Sequence, residues 1–377
     1  MNYCIKNGMA YDSAAGKWEK RDICIKDGLL SDREGENSRI IDAFGCIIAP
    51  GLIDYHVHYF KGGADNGVSP DTASFPSGIT TAVDGGTCGV SSWEAFERLM
   101  ARPAAVRLLS QLHVASGGQL TESYMENLSP ALFDRKRITE LFRRYPSRLV
   151  GLKTRISANI IEPSQARDSL EEAVKLADEI GCSLTVHITN PAMDLEEMAA
   201  ILRPGDVMCH IFQNKGKESI LDGKGNVRPG IRKARERGVL FDACNGRNNF
   251  DLNVARAAIE QGFLPDIISS DINTNSCYEG ILHSLPRVLS KYITFGLSLE
   301  QILDAAIKVP ARLIGREALA SLDPGTEADL FIFKVEERKI TYLDHTGGIN
   351  RMEGNQMIVP QMTIKGGQVV YSQVYFG

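Results

Sequence analysis

Short apolar runs rich in β-branched residues recur along the middle of the chain, and stretches with helical periodicity separate them. The runs lie at residues 48–58, 79–84, 106–115, 149–156, 183–188, 206–212, 239–244 and 267–272. Their spacing averages about thirty residues, which is the length of one strand-and-helix unit. Continuous apolar strands are typical of a parallel sheet that helices cover. Eight such units in series predict an α/β fold, namely a (β/α)8 TIM barrel.

Two of the intervening stretches have the pattern of amphipathic helices. Residues 165–180 and 253–262 carry apolar side chains at positions i, i+3 and i+4, and they end near Gly181 and Gly262. Glycine readily takes the left-handed conformation that ends a helix. We therefore expect helices over both stretches.

The two ends of the chain follow a different pattern. Residues 1–50 and 326–377 alternate in short strands, which are interrupted by Asn-Gly, Asp-Gly and Gly-Gly pairs. These pairs favour the tight turns of β-hairpins. We expect the two ends to assemble into one small β-domain.

Composition and charge fit a globular protein that acts on a small molecule. The chain has 377 residues, 43% of them hydrophobic and 24% charged, which excludes disordered and collagen-like architectures. Its 42 basic and 47 acidic side chains leave a net charge of -5, so there is no electrostatic basis for binding nucleic acid or an anionic membrane. The expected partner is a small-molecule substrate.

Segments for membrane insertion or secretion are not recognisable in the sequence. No apolar stretch reaches the roughly 18 residues that span a bilayer, and the N-terminal residues lack the basic and hydrophobic regions of a signal peptide. We therefore expect a cytoplasmic protein. Eight cysteines occur singly, without a CxxC pair, and are predicted to be reduced thiols: Cys4, Cys24, Cys46, Cys88, Cys182, Cys209, Cys244 and Cys277.

Histidines at the carboxyl ends of predicted strands indicate a metal site. His56 and His58 lie two residues apart on the first strand, so their side chains face the same side. His187 and His210 end the fifth and sixth strands, at the face where barrel enzymes place their active sites. A pair of buried, hydrogen-bonded histidines is the structural alternative for the first two.

Asp271 ends the eighth predicted strand, in the apolar run IISSDI. An unpaired carboxylate buried there would be costly. A metal bound by His56 and His58 would compensate for it, because the eighth and first strands are neighbours in a closed barrel. The alternative is an aspartate that caps the following helix.

Lys153 ends the fourth predicted strand and should also project into the barrel. Burial would lower the pKa of its ammonium group. A neutral amine can react with carbon dioxide and release a proton, which leaves a carbamate whose two oxygen atoms can bridge two metal ions. An ordinary salt bridge of the lysine is the alternative.

These residues make the chain resemble the amidohydrolase superfamily in its binuclear-metal subtype. The motif GLIDYHVH, together with the lysine, histidines and aspartate at the ends of the later strands, carries the resemblance. The segments NGMAYD, IKDGLLSD and SLDPGTEADLFIF resemble the composite β-sandwich of that superfamily. The resemblance implies two domains: a β-sandwich formed by residues 1–50 and 321–377, and a metal-dependent hydrolase barrel formed by residues 51–320.

The resemblance also implies a cofactor and a mechanism. It implies two divalent ions, zinc given histidine and carboxylate ligands, although manganese and iron are compatible with the same ligands. It assigns the more buried ion to His56, His58 and Asp271, the more exposed ion to His187 and His210, and the bridge to N6-carboxylated Lys153 and a hydroxide. Asp271 would be the catalytic residue, which takes the proton of the hydroxide and delivers it to the leaving amine or alkoxide.

Arg155 is the first candidate for substrate binding. It lies two residues beyond Lys153, so it should face the barrel lumen, where its guanidinium can bind a substrate carboxylate in a bidentate manner. Pairing with Asp84 or Asp242 inside the barrel is the structural alternative. Cys209, by contrast, should face the helices if the adjacent His210 faces the lumen.

Three asparagines at strand ends are further candidates for substrate binding. Asn190 follows the fifth strand in HITNP, where a plain turn is the alternative, and Asn245 and Asn273 follow the seventh and eighth strands. The last two stand where the resembled subgroup often has histidines. This departure leaves the metal ligands intact but puts the identity of the substrate in doubt.

More narrowly, HYFKGGADNGVSPD, GITTAVDGGTCG, VHITNP and QGFLPDIISSD resemble a deacetylase subgroup with dihydroorotase-like and adenine-deaminase-like names. Its members cleave N-acyl D-amino acids or acetylated (R)-hydroxy acids. The leading hypothesis is a metal-dependent amidohydrolase that removes an acyl group from a small carboxylate-bearing amide or ester.

Three alternatives remain open. A cyclic-amide hydrolase of the dihydroorotase type would use the same metal ligands. A mononuclear deaminase is disfavoured because such relatives generally lack a lysine equivalent to Lys153. A non-catalytic scaffold is disfavoured because the ligand residues are kept. Related barrels often associate, so a homo-oligomer is also left open.

Overall fold

The computed structural model of the chain describes residues 2–121, 123–246, 248–278 and 284–373. Its β-strands are β1 (Tyr3–Lys6), β2 (Met9–Asp12), β3 (Lys17–Glu19), β4 (Ile23–Lys26), β5 (Leu29–Ser31), β6 (Arg39–Asp42), β7 (Ile47–Pro50), β8 (Leu52–Val57), β9 (Ile79–Gly85), β10 (Arg107–His113), β11 (Leu149–Arg155), β12 (Ser183–His187), β13 (Val207–Cys209), β14 (Leu240–Asp242), β15 (Leu330–Leu343), β16 (Arg351–Lys365) and β17 (Gln368–Ser372). Its α-helices are α1 (Pro70–Ser74), α2 (Trp93–Phe96), α3 (Arg135–Arg144), α4 (Pro163–Ile180), α5 (Leu195–Ile201), α6 (Pro229–Glu236), α7 (Leu252–Glu260), α8 (Thr274–Tyr278), α9 (Leu285–Thr294), α10 (Leu299–Ala306) and α11 (Lys308–Leu313). None of the described helices is long and apolar enough to cross a membrane.

A parallel sheet of seven strands forms the centre of the molecule. Its order is β14-β13-β12-β11-β10-β9-β8, and every neighbouring pair is parallel. Each strand follows its neighbour along the chain, as expected for successive strand-and-helix units. The carboxyl ends of the seven strands therefore lie at one end of the sheet.

The first predicted strand, residues 48–58, is in fact two strands in different sheets. β7 pairs with β15 and β2, whereas β8 begins the parallel sheet. The chain passes from one sheet to the other at Gly51, where a Cβ atom would collide with the side chain of Thr80. A continuous apolar run cannot reveal such a crossing, because both strands are buried.

The eighth predicted strand, residues 267–272, is replaced by two isolated parallel bridges. Ile267 pairs with Asp242 of β14, and Ile272 pairs with Val57 of β8. Both edges of the seven-stranded sheet therefore meet the same segment. The sheet curls round until its edges are joined through residues 267–272.

Side chains interrupt the hydrogen-bond ladder in this segment. The backbone N–H of Ser270 donates to Oδ1 of Asp54 at 3.0 Å, and the N–H of Ile272 donates to Oγ of Ser270 at 3.1 Å. These amides are then unavailable to a neighbouring strand. The segment runs along the strand direction without forming a regular strand, which is the physical reason for the difference from the prediction.

The two predicted helices at residues 165–180 and 253–262 are confirmed as α4 and α7. α4 ends at Gly181, whose φ is 78° and whose N–H donates to the carbonyl of Ala177. At the start of α7, the carboxylate of Asp251 accepts hydrogen bonds from two backbone N–H groups. Both boundaries follow the capping chemistry of the sequence.

The two ends of the chain contribute to two further sheets. One has four strands in the order β5-β4-β1-β6, and the other has six in the order β17-β16-β15-β7-β2-β3. The six-stranded sheet combines strands from before and after the parallel sheet. Ile5, Ile25 and Ile48 from the first end and Leu330 and Ile364 from the second are buried in one hydrophobic cluster.

The prediction of reduced cysteines is wrong for Cys4 and Cys24. These residues lie opposite each other on the antiparallel strands β1 and β4, with Cα atoms 4.1 Å apart, and they form a disulfide. Their facing positions depend on strand pairing, which the spacing of the cysteines along the sequence does not specify.

Candidate metal centre and substrate cavity

Three of the predicted ligands meet where the curled sheet closes. Nε2 of His58 lies 3.3 Å from Oδ1 of Asp271, and Nε2 of His56 lies 3.9 Å from the same oxygen. All three residues are buried, and one ligand atom of each lies within 4.8 Å of the others. Two imidazoles and a carboxylate at these separations are compatible with one divalent cation between them.

The other two predicted histidines lie next to this group. The ring centroids of His187 and His210 are 4.3 Å apart, and the His210 ring is 5.5 Å from that of His56. The four histidines therefore form one cluster at the carboxyl ends of β8, β12 and β13. The described residues thus contain candidate ligands for a divalent metal centre.

Hydrogen bonds fix the proton positions of two of these histidines. The hydroxyl of Thr87 donates to Oδ2 of Asp84 at 2.9 Å, so its oxygen accepts from Nδ1 of His58 at 2.8 Å. Nδ1 of His210 lies 2.7 Å from the carbonyl oxygen of Cys244, which can only accept. Each ring therefore carries its proton on Nδ1 when neutral and presents an unprotonated Nε2 to the cluster, which is the form that binds a metal.

Lys153 projects into the same cluster. Its Nζ is 3.5 Å from both ring nitrogens of His56 and 3.2 Å from Sγ of Cys209. A Cβ at Gly86 would collide with the Lys153 side chain, so this glycine leaves room for it. Within the described residues no carboxylate forms a salt bridge with Lys153.

The prediction that Cys209 faces the helices is wrong. Regular alternation would place Cys209 and His210 on opposite sides of the strand. However, β13 ends at Cys209, and His210 has a φ of 69°, in the left-handed region. The turn brings both side chains to the cluster, where the thiol contacts Lys153.

The protonation states of His56, His187 and Asp271 suit a bound cation, whereas the neighbouring Cys209 and Asp271 raise the pKa of His210 in spite of its burial. Burial and the charge of Lys153 lower the pKa of His56 to about 4, and burial with the neighbouring His210 places the pKa of His187 well below its usual value. Burial alone would raise the pKa of Asp271, but the adjacent imidazoles, first that of His58, lower it. An ionised carboxylate and neutral imidazoles are the forms that ligate metals.

The cluster forms the floor of a cavity of about 460 Å³. Of the predicted substrate-binding residues, Arg155, Asn190 and Asn273 line this cavity. Lining residues that the sequence analysis missed include Lys215, Gln119, Thr189, Asn66, Asn159, Asn248, Asn249 and Asn275. Apart from Gly216, every described lining residue therefore has a polar or charged side chain.

Arg155 faces the cavity, but its charge already has a partner. Its Nη1 lies 2.9 Å from Oε1 of Glu126 and donates to Oε1 of Gln119 at 3.0 Å. Oε2 of Glu126 lies 3.2 Å from Nε2 of His113. The alternative of a pair with Asp84 or Asp242 is therefore wrong, since the partner comes from a loop. The sequence around Glu126 has no pattern that would predict its position beside the end of β11.

Asn245 does not line the cavity, contrary to the prediction. It is fully buried, its Nδ2 donates to the carbonyl of Ser269 at 3.3 Å, and its Oδ1 accepts from the Tyr292 hydroxyl at 3.4 Å. The left-handed conformation of Cys244, with φ 36°, precedes it. The change of direction turns the asparagine into the core.

Asn190 and Asn273 reach the cavity with different degrees of freedom. Nδ2 of Asn273 donates to the backbone carbonyl of Asp271 at 3.0 Å, and its Oδ1 accepts from the N–H of Ser276 at 3.2 Å. Asn190 makes one longer side-chain contact, 3.4 Å to Oδ1 of Asn159. Asn190 is thus the freer of the two to contact a ligand.

The chain is similar to known proteins over almost its full length. The model of the amidohydrolase family matches residues 47–370. A deacetylase of Agrobacterium fabrum is 29% identical over 336 residues, which cover 89% of this chain and 81% of that protein. A crystal structure of an adenine deaminase has a TM-score of 0.88 at 27% identity and covers 98% of this chain and 99% of its own. A dihydroorotase structure has a TM-score of 0.89 at 25% identity, with coverage of 100% and 99%. These structures imply a TIM-barrel fold for the curled parallel sheet.

Proposed function

This chain belongs to the amidohydrolase family, and on that premise we propose that it removes an acyl group from a small carboxylate-bearing amide or ester. The proteins to which it is similar are hydrolases of carbon–nitrogen bonds. The acyl group proposed is acetyl, and the substrates are N-acyl amino acids or acetylated hydroxy acids. One observation carries the proposal: His56, His58 and Asp271 are buried and lie close together at the floor of a polar cavity. The similarity to a deacetylase supports the choice of acyl group.

We propose that the cluster holds two divalent ions, zinc in the first instance. The proposed ligands are His56, His58, Lys153, His187, His210 and Asp271. When bound, such ions lower the pKa of a water molecule and polarise the scissile carbonyl group. The Nδ1 hydrogen bonds of His58 and His210, which leave Nε2 unprotonated, and the ionised carboxylate of Asp271 support this assignment.

Lys153 is proposed to be N6-carboxylated. Its amine would attack carbon dioxide and lose one proton, forming a carbamate with one negative charge. Two observations support the assignment. Lys153 is buried beside the histidines, and among the described residues it has no carboxylate partner. A carbamate would provide the second carboxylate-like group that a pair of cations requires.

Asp271 is proposed to move the proton in the reaction. Its Oδ1 faces the histidines, whereas its Oδ2 accepts a hydrogen bond from Nδ2 of Asn249 at 2.9 Å. That bond fixes the orientation of the carboxylate toward the cavity. Asp271 would take a proton from the attacking water and give it to the leaving nitrogen or oxygen, so that water is added across the cleaved bond.

The fold provides the frame for this site in two proposed domains. Residues 51–320 would form the barrel, and residues 1–50 and 321–377 would form a composite β-sandwich. The six-stranded sheet drawn from both ends and their common hydrophobic cluster support this division.

Hydrolysis of a cyclic amide, as in dihydroorotase, is the second candidate function. The high structural similarity to a dihydroorotase favours it, and it would use the same proposed ligands. The two reactions differ in whether the cleaved amide lies in a ring. A non-catalytic scaffold is not supported, because all six proposed ligands lie in or beside one cluster.

A hydrolysis panel tests the proposed function. The zinc-loaded protein would be incubated with paired N-acetyl-D- and N-acetyl-L-amino acids, acetylated (R)- and (S)-hydroxy acids, and dihydroorotate. Acyl release from one chiral series is the expected result. Turnover of dihydroorotate alone would replace deacetylation by the cyclic-amide reaction, and no turnover of any compound would contradict both.

A further inference from the structure

Among the described residues, two cationic side chains line the cavity, and their surroundings differ. The guanidinium of Arg155 is ion-paired with the buried carboxylate of Glu126. Lys215 also lines the cavity, but within the described residues it has no ion-pair or side-chain hydrogen-bond partner. As far as the described residues go, the cavity therefore contains one cation that is neutralised by a carboxylate and one that has no such partner.

Hydrogen bonds to the side chain of Gln213 fix the loop that carries Lys215. Oε1 of Gln213, a buried residue, accepts from the backbone N–H of Lys215 at 2.8 Å and from that of Asn190 at 3.3 Å. Nε2 of Gln213 donates to the carbonyl of Glu218 at 2.8 Å. The backbone of Lys215 is thus held in place while its ammonium group stays free.

Gly216 lets this loop pack closely against the cavity wall. Its φ is 77°, and a Cβ there would collide with Oδ1 of Asn190. Lys215 is half-buried, and burial alone lowers the pKa of its ammonium group. An anion bound beside it would offset this loss of hydration.

The rest of the wall accepts and donates hydrogen bonds. Seven asparagines line the cavity, and among its described lining residues none is aliphatic and the histidines are the only rings. An apolar substituent of a substrate would displace water from these asparagine side chains without replacing its hydrogen bonds, whereas a hydroxyl or carboxamide would replace them.

We propose that the substrate is an acylated small acid with a hydroxyl- or carboxamide-bearing side group, and that Lys215 binds its carboxylate. Arg155, held by Glu126, then forms part of the polar wall and is not the principal carboxylate ligand. The proposal rests on the proposed deacylation. It narrows the substrates of that reaction to polar acids and assigns their recognition to a lysine outside the metal cluster.

The substrate half of the proposal is tested with matched acetylated amino acids of both chiralities. N-acetylthreonine and N-acetylasparagine are compared with N-acetylvaline and N-acetylleucine, which have nearly the same shapes but apolar side chains. The polar pair is expected to have a kcat/KM at least about tenfold higher, since each unpaired buried polar group costs about one factor of ten or more. Preference for valine or leucine would overturn this half.

The lysine half is tested with Lys215→Met, with Lys217→Met as the matched control on the same loop, where the side chain is exposed and outside the cavity lining. Lys215→Met is expected to raise the KM for N-acetylserine about ten- to hundredfold and to leave the KM for N-acetylserinamide, which lacks the carboxylate, unchanged. Lys215→Arg should restore most of the affinity, and the metal content should be equal in all variants. An unchanged KM for N-acetylserine, or an equal loss for the serinamide, would overturn the assignment.

Failure of the proposed function is distinguished by binding. If no acylated compound is hydrolysed, titration calorimetry of N-acetylserine into the zinc-loaded protein still measures recognition. Binding that Lys215→Met weakens and Lys217→Met does not would uphold the carboxylate site without the deacylation. No binding, or binding that is equal in both variants, would overturn the inference.

Discussion

The Nδ1 atom of His58 lies 2.8 Å from the hydroxyl oxygen of Thr87, and that hydroxyl in turn donates to the buried carboxylate of Asp84. These two hydrogen bonds fix the ring orientation and the tautomer of His58. It leaves Nε2 directed at Asp271, 3.3 Å away. A residue that touches no metal in the proposed site thereby determines how one of its ligands is presented.

Replacing Thr87 by valine keeps the shape of the side chain and removes this hydrogen bond. We expect metal affinity to fall about 10- to 100-fold, because the ring of His58 loses its orientation. The measurement is zinc affinity by competition with a chelator. Thr154→Val is the control, since Thr154 is equally buried on β11 but its hydroxyl has no hydrogen-bond partner in the described part of the chain. Equal affinities in the two variants would contradict the positioning role.

Replacing Lys153 by alanine should remove the proposed bridging group. We expect turnover to fall about a hundredfold or more, because the charge that holds a pair of cations is lost. Short carboxylic acids such as propionate should restore part of it by entering the vacated space. Lys175→Ala, on the exposed side of α4, should behave like the unaltered protein. Unchanged turnover in Lys153→Ala would exclude the carboxylated lysine.

Gly86 and Gly181 form a matched pair of glycines. Their φ angles are 81° and 78°, but a Cβ at Gly86 would collide with Lys153, whereas nothing lies within 4 Å of one at Gly181. Alanine at either position should cost about 1–2 kcal/mol of the free energy of unfolding, through left-handed strain. Only Gly86→Ala should also lose bound metal and activity. Metal analysis of both variants decides the point, and metal loss in both or neither would be inconsistent with the collision.

The pH dependence of stability can be tested at Lys291, which lies outside the metal cluster. It is buried on α9 with its Nζ 3.4 Å from the centre of the Phe250 ring, and burial lowers its pKa from 10.5 to about 7. Between these two values the unfolded chain binds more protons than the folded one, so this lysine makes stability increase as pH rises. Below pH 7 the full cost of the buried charge is present.

Lys291→Met should therefore be more stable than the unaltered protein at pH 7, and its advantage should shrink as pH approaches 10. Urea unfolding of both proteins across this range measures the difference. Lys308→Met, at the start of α11 and exposed, is the control and should show no such trend. A pH-independent difference would mean that Lys291 titrates normally.

The sequence predicted the parts of the site that depend on strand ends. Residues at the carboxyl ends of parallel strands must share one end of a sheet, so His56, His187 and His210 could be expected to approach one another before any coordinates were known. Regular alternation also placed Lys153 and Arg155 on one side of β11. These are local rules, and they hold as long as the strand remains regular.

The departures occur where the backbone stops being regular or where a loop intervenes. The left-handed φ at His210 turns Cys209 into the cluster, and that at Cys244 precedes the burial of Asn245. Glu126 and Lys215 lie on loops, whose positions depend on tertiary hydrogen bonds and not on periodicity. A single-residue change of backbone conformation is invisible to a pattern of apolar residues.

The central claim is that the buried cluster binds divalent metal and that this metal supports hydrolysis. The most direct measurement is the metal content of the purified protein, taken with its acetyl-release activity, before and after removal by a chelator and again after zinc is restored in bicarbonate. The account predicts two ions per chain, loss of activity with the metal, and recovery of both together. Full activity in metal-free protein, or a chain that binds no ion under these conditions, would contradict it.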